Sequence, residues 1–484
     1  MMPMQGKRPW ALACLVFALC ADGTYAHAAG VVYVDQGTTA VVQDGSSWAT
    51  AVDTVRKGIR RAELAGGAEV WVAEGEYSEV AYLQTGIHLY GGFAGNETAR
   101  EQRDFSANVT VINGLSANDG APVETVVLGA TNSTLDGFTI RGGRGANGAG
   151  MLNDAASPVV ANCHFTDNQA AQYGGAILNN PGSYPLIENC TFAGNAAGIS
   201  GGAIANNGSA PEIRNCTFTG NGSGTSGGAI VFTPDSSGII ENCVFDQNAT
   251  GTGGAAIYCQ QASPLIDACL FTDNEAALHG GAVYNDTAAP FYVNCLFAGN
   301  RCGESGGAIT NVAAAPVFFN CTIAHNTADE DGGPAYNNQS DPAFVNCILY
   351  FNDPDEFYNI KSKPSVRYSD VEFGHAGPGN FAINPRFMDP GNGDYGLQPQ
   401  SWCINAGTSE GAPATDIDGV ARPQGIGVDV GAYEAIVIGE REPLTPCGAL
   451  LRGKEETAQA DGGILVLPSM AGLLLLVSKR RRRP

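Results

Sequence analysis

The hydrophobic and polar positions of this chain repeat on a beat longer than any single helix or strand. The phrase GGAIANNGSAPEIRNCTFTGN, residues 201–221, returns in near copies through the middle of the sequence. Its glycine pairs open at Gly174, Gly201, Gly227, Gly253, Gly280, Gly306 and Gly332, in steps of 26 or 27 residues. Cys163, Cys190, Cys216, Cys243, Cys269, Cys295, Cys321 and Cys347 keep the same interval. Self-similarity at this period is the signature of a solenoid, in which each repeat buries its apolar face only by stacking on the next.

The pattern inside one repeat fixes the kind of solenoid. In PEIRNCTF, Ile213 and Cys216 lie an odd number of residues apart, so one flat strand cannot turn both to the same face. The chain therefore turns a corner at Asn215, with Ile213 inward before it and Cys216 and Phe218 inward after it. A third short strand, GGAI, places Ile204 inward. Three short strands in about 26 residues describe one lap of a parallel β-helix with successive laps about 4.8 Å apart. The fold class expected is all-β, a right-handed parallel β-helix with an N-terminal helical cap.

Equivalent residues then stack in columns. Phe165, Phe192, Phe218, Phe245, Phe271, Phe297, Ile323 and Leu349 form one. Asn168, Asn195, Asn221, Asn248, Asn274, Asn300, Asn326 and Asn352 form another at the following turn, where amides can bond up and down the column. The cysteine column reads as stacked thiols rather than disulfides, because in-register neighbours about 4.8 Å apart exceed the roughly 3.8 Å Cβ separation a disulfide prefers. Pairs such as Ile87 and Leu89, Thr110 and Ile112, and Phe138 and Ile140 extend the series toward the N-terminus, giving roughly twelve coils and a rod of about 55 Å. Ahead of them SSWATAVDTVRKGIRRAELAGG reads as an amphipathic helix with a serine N-cap and a Gly-Gly stop, placed to close the open end.

Both ends of the chain change the picture. A basic stretch, the apolar run ALACLVFALCA and Ala26-His27-Ala28 form a secretory signal peptide pattern cleaved after Ala28. At the other end Gly462 and Gly463 precede an apolar run and the basic cluster Lys479 to Arg483, which includes Arg480. The run is short for a full span, and its positive end reads as a stop at the cytoplasmic face. The boundaries expected are a signal peptide over 1–28, an N-terminal cap over 29–86 and a β-helix over 87–374 with regular repeats over 148–352. A C-terminal cap over 375–437, a linker over 438–461 and a tail over 462–484 complete the chain. Net charge is −23, and both ends are basic, so the body repels phosphate backbones and is not a nucleic-acid binder.

The GGAI and F-x-x-N phrases over 148–352 resemble the repeats of the polymorphic outer-membrane protein family, which are right-handed parallel β-helices displayed at bacterial surfaces. That resemblance implies surface exposure and adhesion. NPRFMDPGNGDYGLQPQSWCINAGT and TDIDGVARPQGIGVDVGAYE, within 375–434, resemble the choice-of-anchor Q region of secreted β-helix proteins, which implies a tight cap on the last coil and no catalytic residue. The C-terminal tail resembles a GlyGly-type sorting signal, which implies cleavage near Gly462 and Gly463 by a membrane protease.

Candidate chemistry is sparse. Gly143, Gly145 and Gly148 form G-x-G-x-x-G, but no helix follows, so they read as a turn rather than a dinucleotide cradle. Asp416 and Asp418 in TDIDG match the first half of a calcium loop without its remaining ligands or closing glutamate, and read as a structural turn. No cofactor is called for, calcium remaining the one candidate. From Gly148 to Asp355 the only cationic Lys or Arg residues are Arg214 and Arg301, and Asp167, Asp246 and Asp273 flank the asparagine turn whole coils apart. A lyase needs a base beside acids and a hydrolase needs two facing carboxylates. The expectation is therefore an exported rod at the cell surface or outer membrane, released after any tail processing. It contacts a glycan or another surface protein without catalysis and meets the membrane only through its tail. The alternative is an extracellular polysaccharide lyase or glycoside hydrolase.

Overall fold

The computed structural model describes residues 30–436 apart from Ala68, Ser116, Asn118, Asp119, Asp355 and Glu356. Ala28, Gly462, Gly463 and Arg480, with the signal peptide, linker and tail, lie outside the described residues.

The chain winds as a parallel β-helix whose long sheets contain 13, 12 and 11 strands. In one lap, Ile204–Asn206 belongs to the 11-stranded sheet, Glu212–Arg214 to the 13-stranded sheet and Thr217–Thr219 to the 12-stranded sheet. Sequence reading expected three strands per lap, and regular laps carry a fourth. Two-residue strands such as Gly222–Ser223 make a 7-stranded sheet just after the asparagine turn. Two residues are too few for an alternation to show in sequence.

Asn215 turns the first corner with φ of 51°, and Asn162, Asn189, Asn242, Asn294, Asn320 and Asn346 do the same in their laps. Asparagine tolerates this left-handed conformation better than other side chains, which is why the corner falls there. Beyond the corner, the Phe165 to Phe297 rings are fully buried and stack at 4.5–5.1 Å. The eight column cysteines are buried free thiols. Cys216 Sγ donates to the Arg214 carbonyl at 3.1 Å, and the Cys216 amide donates to Cys243 Sγ at 3.4 Å.

Each ladder asparagine is bonded on three sides. Asn221 Nδ2 donates to Asn248 Oδ1 at 3.0 Å and to the Phe192 carbonyl at 2.8 Å, while its Oδ1 accepts from Asn195 Nδ2 at 3.1 Å. The pattern runs unbroken from Asn168 to Asn352. A second buried ladder runs on the 11-stranded sheet. Asn153, Asn179 and Asn206 bond in series, as do Asn285, Asn311, Asn337 and Asn359, with Phe232 and Cys259 filling the two laps between.

The N-terminal end departs from expectation. Val31–Val34 pairs in parallel with Glu69–Ala73, which pairs with His88–Phe93, so winding begins at residue 31 rather than 87. The helix spans Val55–Leu64 and its N-cap is Thr54, whose hydroxyl accepts from the Lys57 amide at 3.2 Å; the serines upstream precede a 3-10 turn at Trp48–Thr50. Its apolar face, Val55, Ile59 and Ala62, covers the first coil. Gly58 lets it approach: a Cβ there would lie 2.5 Å from Val34 Cγ2.

The C-terminal region also differs from a simple end cap. Residues 378–381 follow the last coil, through the Asp370–Phe381 bridge. The chain then doubles back as the hairpin Phe387–Asp389 and Asp394–Leu397 and runs along the side of the rod. Phe387, Tyr395, Leu397, Cys403 and Val430 pack on Leu296, Ala298, Ala324 and Ile348, which point outward from the 12-stranded sheet. The corner asparagines hold the segment. Asn294 donates to the Thr415 carbonyl at 3.0 Å, Asn320 to those of Asp429 and Gly431 at 3.0 and 3.1 Å, and Asn346 to that of Thr408 at 2.9 Å. The region is a lateral clasp because the outer faces of these late coils are apolar and require cover.

Candidate functional site: a ring-lined strip on the 11-stranded sheet

Alternation along short strands sends every second side chain outward. In Ile257–Gln260 and Val283–Asp286 the inward Ile257 and Val283 leave Tyr258 and Tyr284 outward and in register, with ring centroids 5.2 Å apart. The row continues through Thr310, Tyr336 and Tyr358, the last two rings stacking at 5.8 Å. His279, from the turn before Val283, fills the gap above Thr310. Its ring lies 6.4 Å from Tyr284 and 6.1 Å from Tyr336, nearly parallel to the latter. Five half-exposed rings thus follow one another along the rod.

Carboxylates line the strip. Tyr258 donates to Asp286 Oδ2 at 3.2 Å, and His279 Nε2 lies 3.2 Å from Glu304 Oε2. Asp331 follows Ser305 and His279 in the column of turn bridges. Burial, reinforced by Asp286 and then Tyr336, pushes the Tyr284 phenol up to about 12, so it stays a hydroxyl donor at neutral pH. His279 stacks on Tyr336 and Tyr336 on Tyr358, while the contacts among Tyr258, Tyr284 and His279 are tilted. Donors, acceptors and apolar edges in one line suit a polyhydroxylated chain lying along the axis.

Sequence reasoning singled out none of these rings. The 26-residue steps from Tyr258 to Tyr284, and from Thr310 to Tyr336, carry the signal for the tyrosines. Nothing periodic marks His279, which joins them only through the turn geometry.

A second cluster lies on the outer face of the 13-stranded sheet. Glu241 and Asp267 occupy partnered positions on adjacent strands. Arg214 Nε is 3.3 Å from Glu241 Oε2, and the same guanidinium pairs with Glu212. Burial first, then Glu241, raises the Asp267 carboxyl to about 6. Asn294 Nδ2 donates to Asp267 Oδ1 at 3.4 Å.

Of the acids noted in sequence, Asp246 accepts from Thr272 Oγ1 at 2.8 Å, and burial, then the Asp246 charge, raises the Asp273 carboxyl. Arg301 pairs with Asp329 at 3.0 Å. Gly143 donates its amide to Asn168 Oδ1, as a turn residue. Asp416 Oδ1 accepts from the amides of Asp418 and Val420, and Oδ2 from that of Glu434. These bonds make Asp416 an organiser of the clasp, and among the described residues no cluster of three or more His, Cys, Asp or Glu has metal-holding geometry.

Comparison with known proteins agrees on the architecture. The protein-family model described as "Right handed beta helix region" matches residues 74–225, 126–294 and 201–377. No curated protein sequence matches. Among solved structures, a pectate lyase is 12% identical with a TM-score of 0.39, covering 84% of this chain and 96% of its own. XylC in complex with xylose is 9% identical with a TM-score of 0.43, covering 83% and 98%. PfbA, a surface adhesin of Streptococcus pneumoniae, is 14% identical with a TM-score of 0.28, covering 70% and 94%. These likenesses are of fold alone. With three overlapping matches spanning residues 74–377, the chain belongs to the right-handed β-helix family.

Proposed function

We propose that the chain is an exported rod, anchored at the cell surface through its C-terminal tail, that contacts an extracellular glycan without catalysis. The observation that carries this reading is the axial row of Tyr258, Tyr284, His279, Tyr336 and Tyr358 beside Asp286 and Glu304. Rings one coil apart offer a repeating surface to a repeating polymer. The cations of the regular coils are engaged by acids: Arg214 by Glu212 and Glu241, and Arg301 by Asp329. The polymorphic outer-membrane, choice-of-anchor Q and GlyGly-tail resemblances support surface display.

The test is a glycan array probed with the wild type and with Tyr284→Ala and Tyr336→Ala. Loss of about 1.4 kcal/mol of contact weakens retention about tenfold. Equal retention by all three proteins would remove the strip from the function. Cell fractionation, with mass spectrometry of the ends near Ala28 and Gly462–Gly463, tests export and processing.

One observation favours the enzymatic alternative. Asp267, raised to about 6 beside Glu241, pairs a carboxyl that keeps its proton in mildly acidic solution with a neighbouring carboxylate, the division of labour glycoside hydrolysis requires. New reducing ends from a panel of neutral and acidic polysaccharides, lost in Asp267→Asn, would establish it. No product from any polymer leaves the contact reading standing.

A further inference from the structure

The cap helix concentrates positive charge in a molecule where acids outnumber bases. The chain has 25 Lys and Arg against 48 Asp and Glu, yet Arg56, Lys57, Arg60 and Arg61 share the ten residues Val55–Leu64. Lys57 pairs with the half-buried Asp53 and Arg60 with the exposed Glu63, and pairs reached by solvent hold their charges only weakly. Arg61 donates to the Gln43 carbonyl, and the Arg56 guanidinium lies over the Tyr82 ring. Between Gln43, Val52 and Leu64 these side chains border a groove of about 520 Å³. Beside it stand three apolar residues in solvent: Val41 is 100% exposed, Val42 64% and Leu64 69%. Arginine next to solvent-exposed apolar groups is the composition of a protein-binding surface.

We infer that this basic tip docks on the acidic flank of a second copy of the chain, at the turns carrying Glu304 and Glu330. The Glu330 amide bonds to the Glu304 carbonyl at 2.9 Å, so the two carboxylates project from successive coils. Arg56 and Arg60 project from successive turns of the helix. A helical turn rises about 5.4 Å and a coil about 4.8 Å, so a helix laid along the flank brings both guanidiniums opposite both carboxylates. The cations already facing this flank are Arg301, paired with Asp329, and His279, beside Glu304. Asp331 adds a further carboxylate at the same turn. A membrane surface of anionic lipid is disfavoured as the occupant, since the body behind the tip is strongly acidic. Tip-to-flank contact is heterologous, so it builds chains or branched arrays rather than closed dimers.

Sedimentation velocity on the full chain, over a range of concentrations at low and at high salt, tests the inference. The wild type should associate at low salt and dissociate at high salt. Arg56→Glu/Arg60→Glu and Glu304→Lys/Glu330→Lys should each weaken association about tenfold or more, and mixing the two charge-reversed proteins should restore it. Arg56→Gln/Arg60→Gln, with folding checked by circular dichroism, separates lost docking from a damaged cap. Association that persists unchanged in the reversed tip, or a mixture that stays as dissociated as its components, overturns the inference. So does a wild type that remains monomeric while the tip variants alone lose retention on a sulfated-glycan column, which would assign the tip to a polyanion.

Discussion

The regular coils and the lateral clasp are stabilised in opposite ways. In the coils successive laps repeat the same thiol and asparagine, with phenylalanine in the third column from Phe165 to Phe297, so most contacts have a copy above and below. The clasp rests on groups that occur once. Arg422, buried completely, bonds to Glu434 at 2.9 Å and to the carbonyls of Asp429, Gly431 and Ala432. Glu434 also accepts from the amides of Gln424 and Asp429, and Asp429 from those of Asn405 and Ala435. Redundancy spreads the cost of damage over neighbours, whereas a unique buried network concentrates it.

The sharpest way to break that contrast is Arg422→Ala. It leaves Glu434 as an uncompensated buried charge, and should destabilise the clasp by about 3–5 kcal/mol in chemical denaturation, with proteolysis confined to residues beyond 384. A transition that instead unfolds the coils at the same denaturant concentration would show the two regions to be one cooperative unit.

A graded effect of pH comes next. Burial raises the Asp370 and Asp429 carboxyls to about 7; Asp370 accepts from Cys403 Sγ at 3.3 Å, and Glu434 adds to the shift at Asp429. Their native values lie above the ordinary 3.8, so the folded clasp holds protons that the unfolded chain releases. Its stability should be greatest near pH 4 and fall as pH rises through about 7, a slope that Asp370→Asn should reduce. Clasp stability that rises over this interval would contradict the assignment.

Within the coils, Asn221→Ala removes the acceptor of Asn195 and the donor to Asn248, at a cost of about 1–3 kcal/mol by calorimetry. Cys216→Ala is expected to be milder, about 1 kcal/mol, since a small apolar group replaces a buried thiol between its neighbours. Thiol counting on the native protein should find the column unreactive until the chain is unfolded.

The same contrast explains what was legible in the sequence. Repetition made the coils readable: an odd spacing between Ile213 and Cys216 located the corner, and the columns followed from the period. The second asparagine ladder was equally present, two residues after Ile177 and Ile204, but Phe232 and Cys259 interrupt it. Winding from Val31 is not legible in the sequence because its first laps share neither the period nor the residues of the later ones. The clasp resembled a cap in wording, yet its place on the side depends on which outward positions are apolar, and Leu296, Ala324 and Ile348 read in sequence as ordinary strand residues. His279 entered the ring strip through a turn, where no period constrains the side chain.

Because each lap bonds only to the laps beside it, reach is an adjustable quantity. Excising one unit between equivalent points, such as 201–226, sets Asn195 against Asn248 and Phe192 against Phe245 in the main columns, and shortens the molecule by about 4.8 Å. Gene duplication can therefore lengthen or trim the distance spanned without inventing a new core.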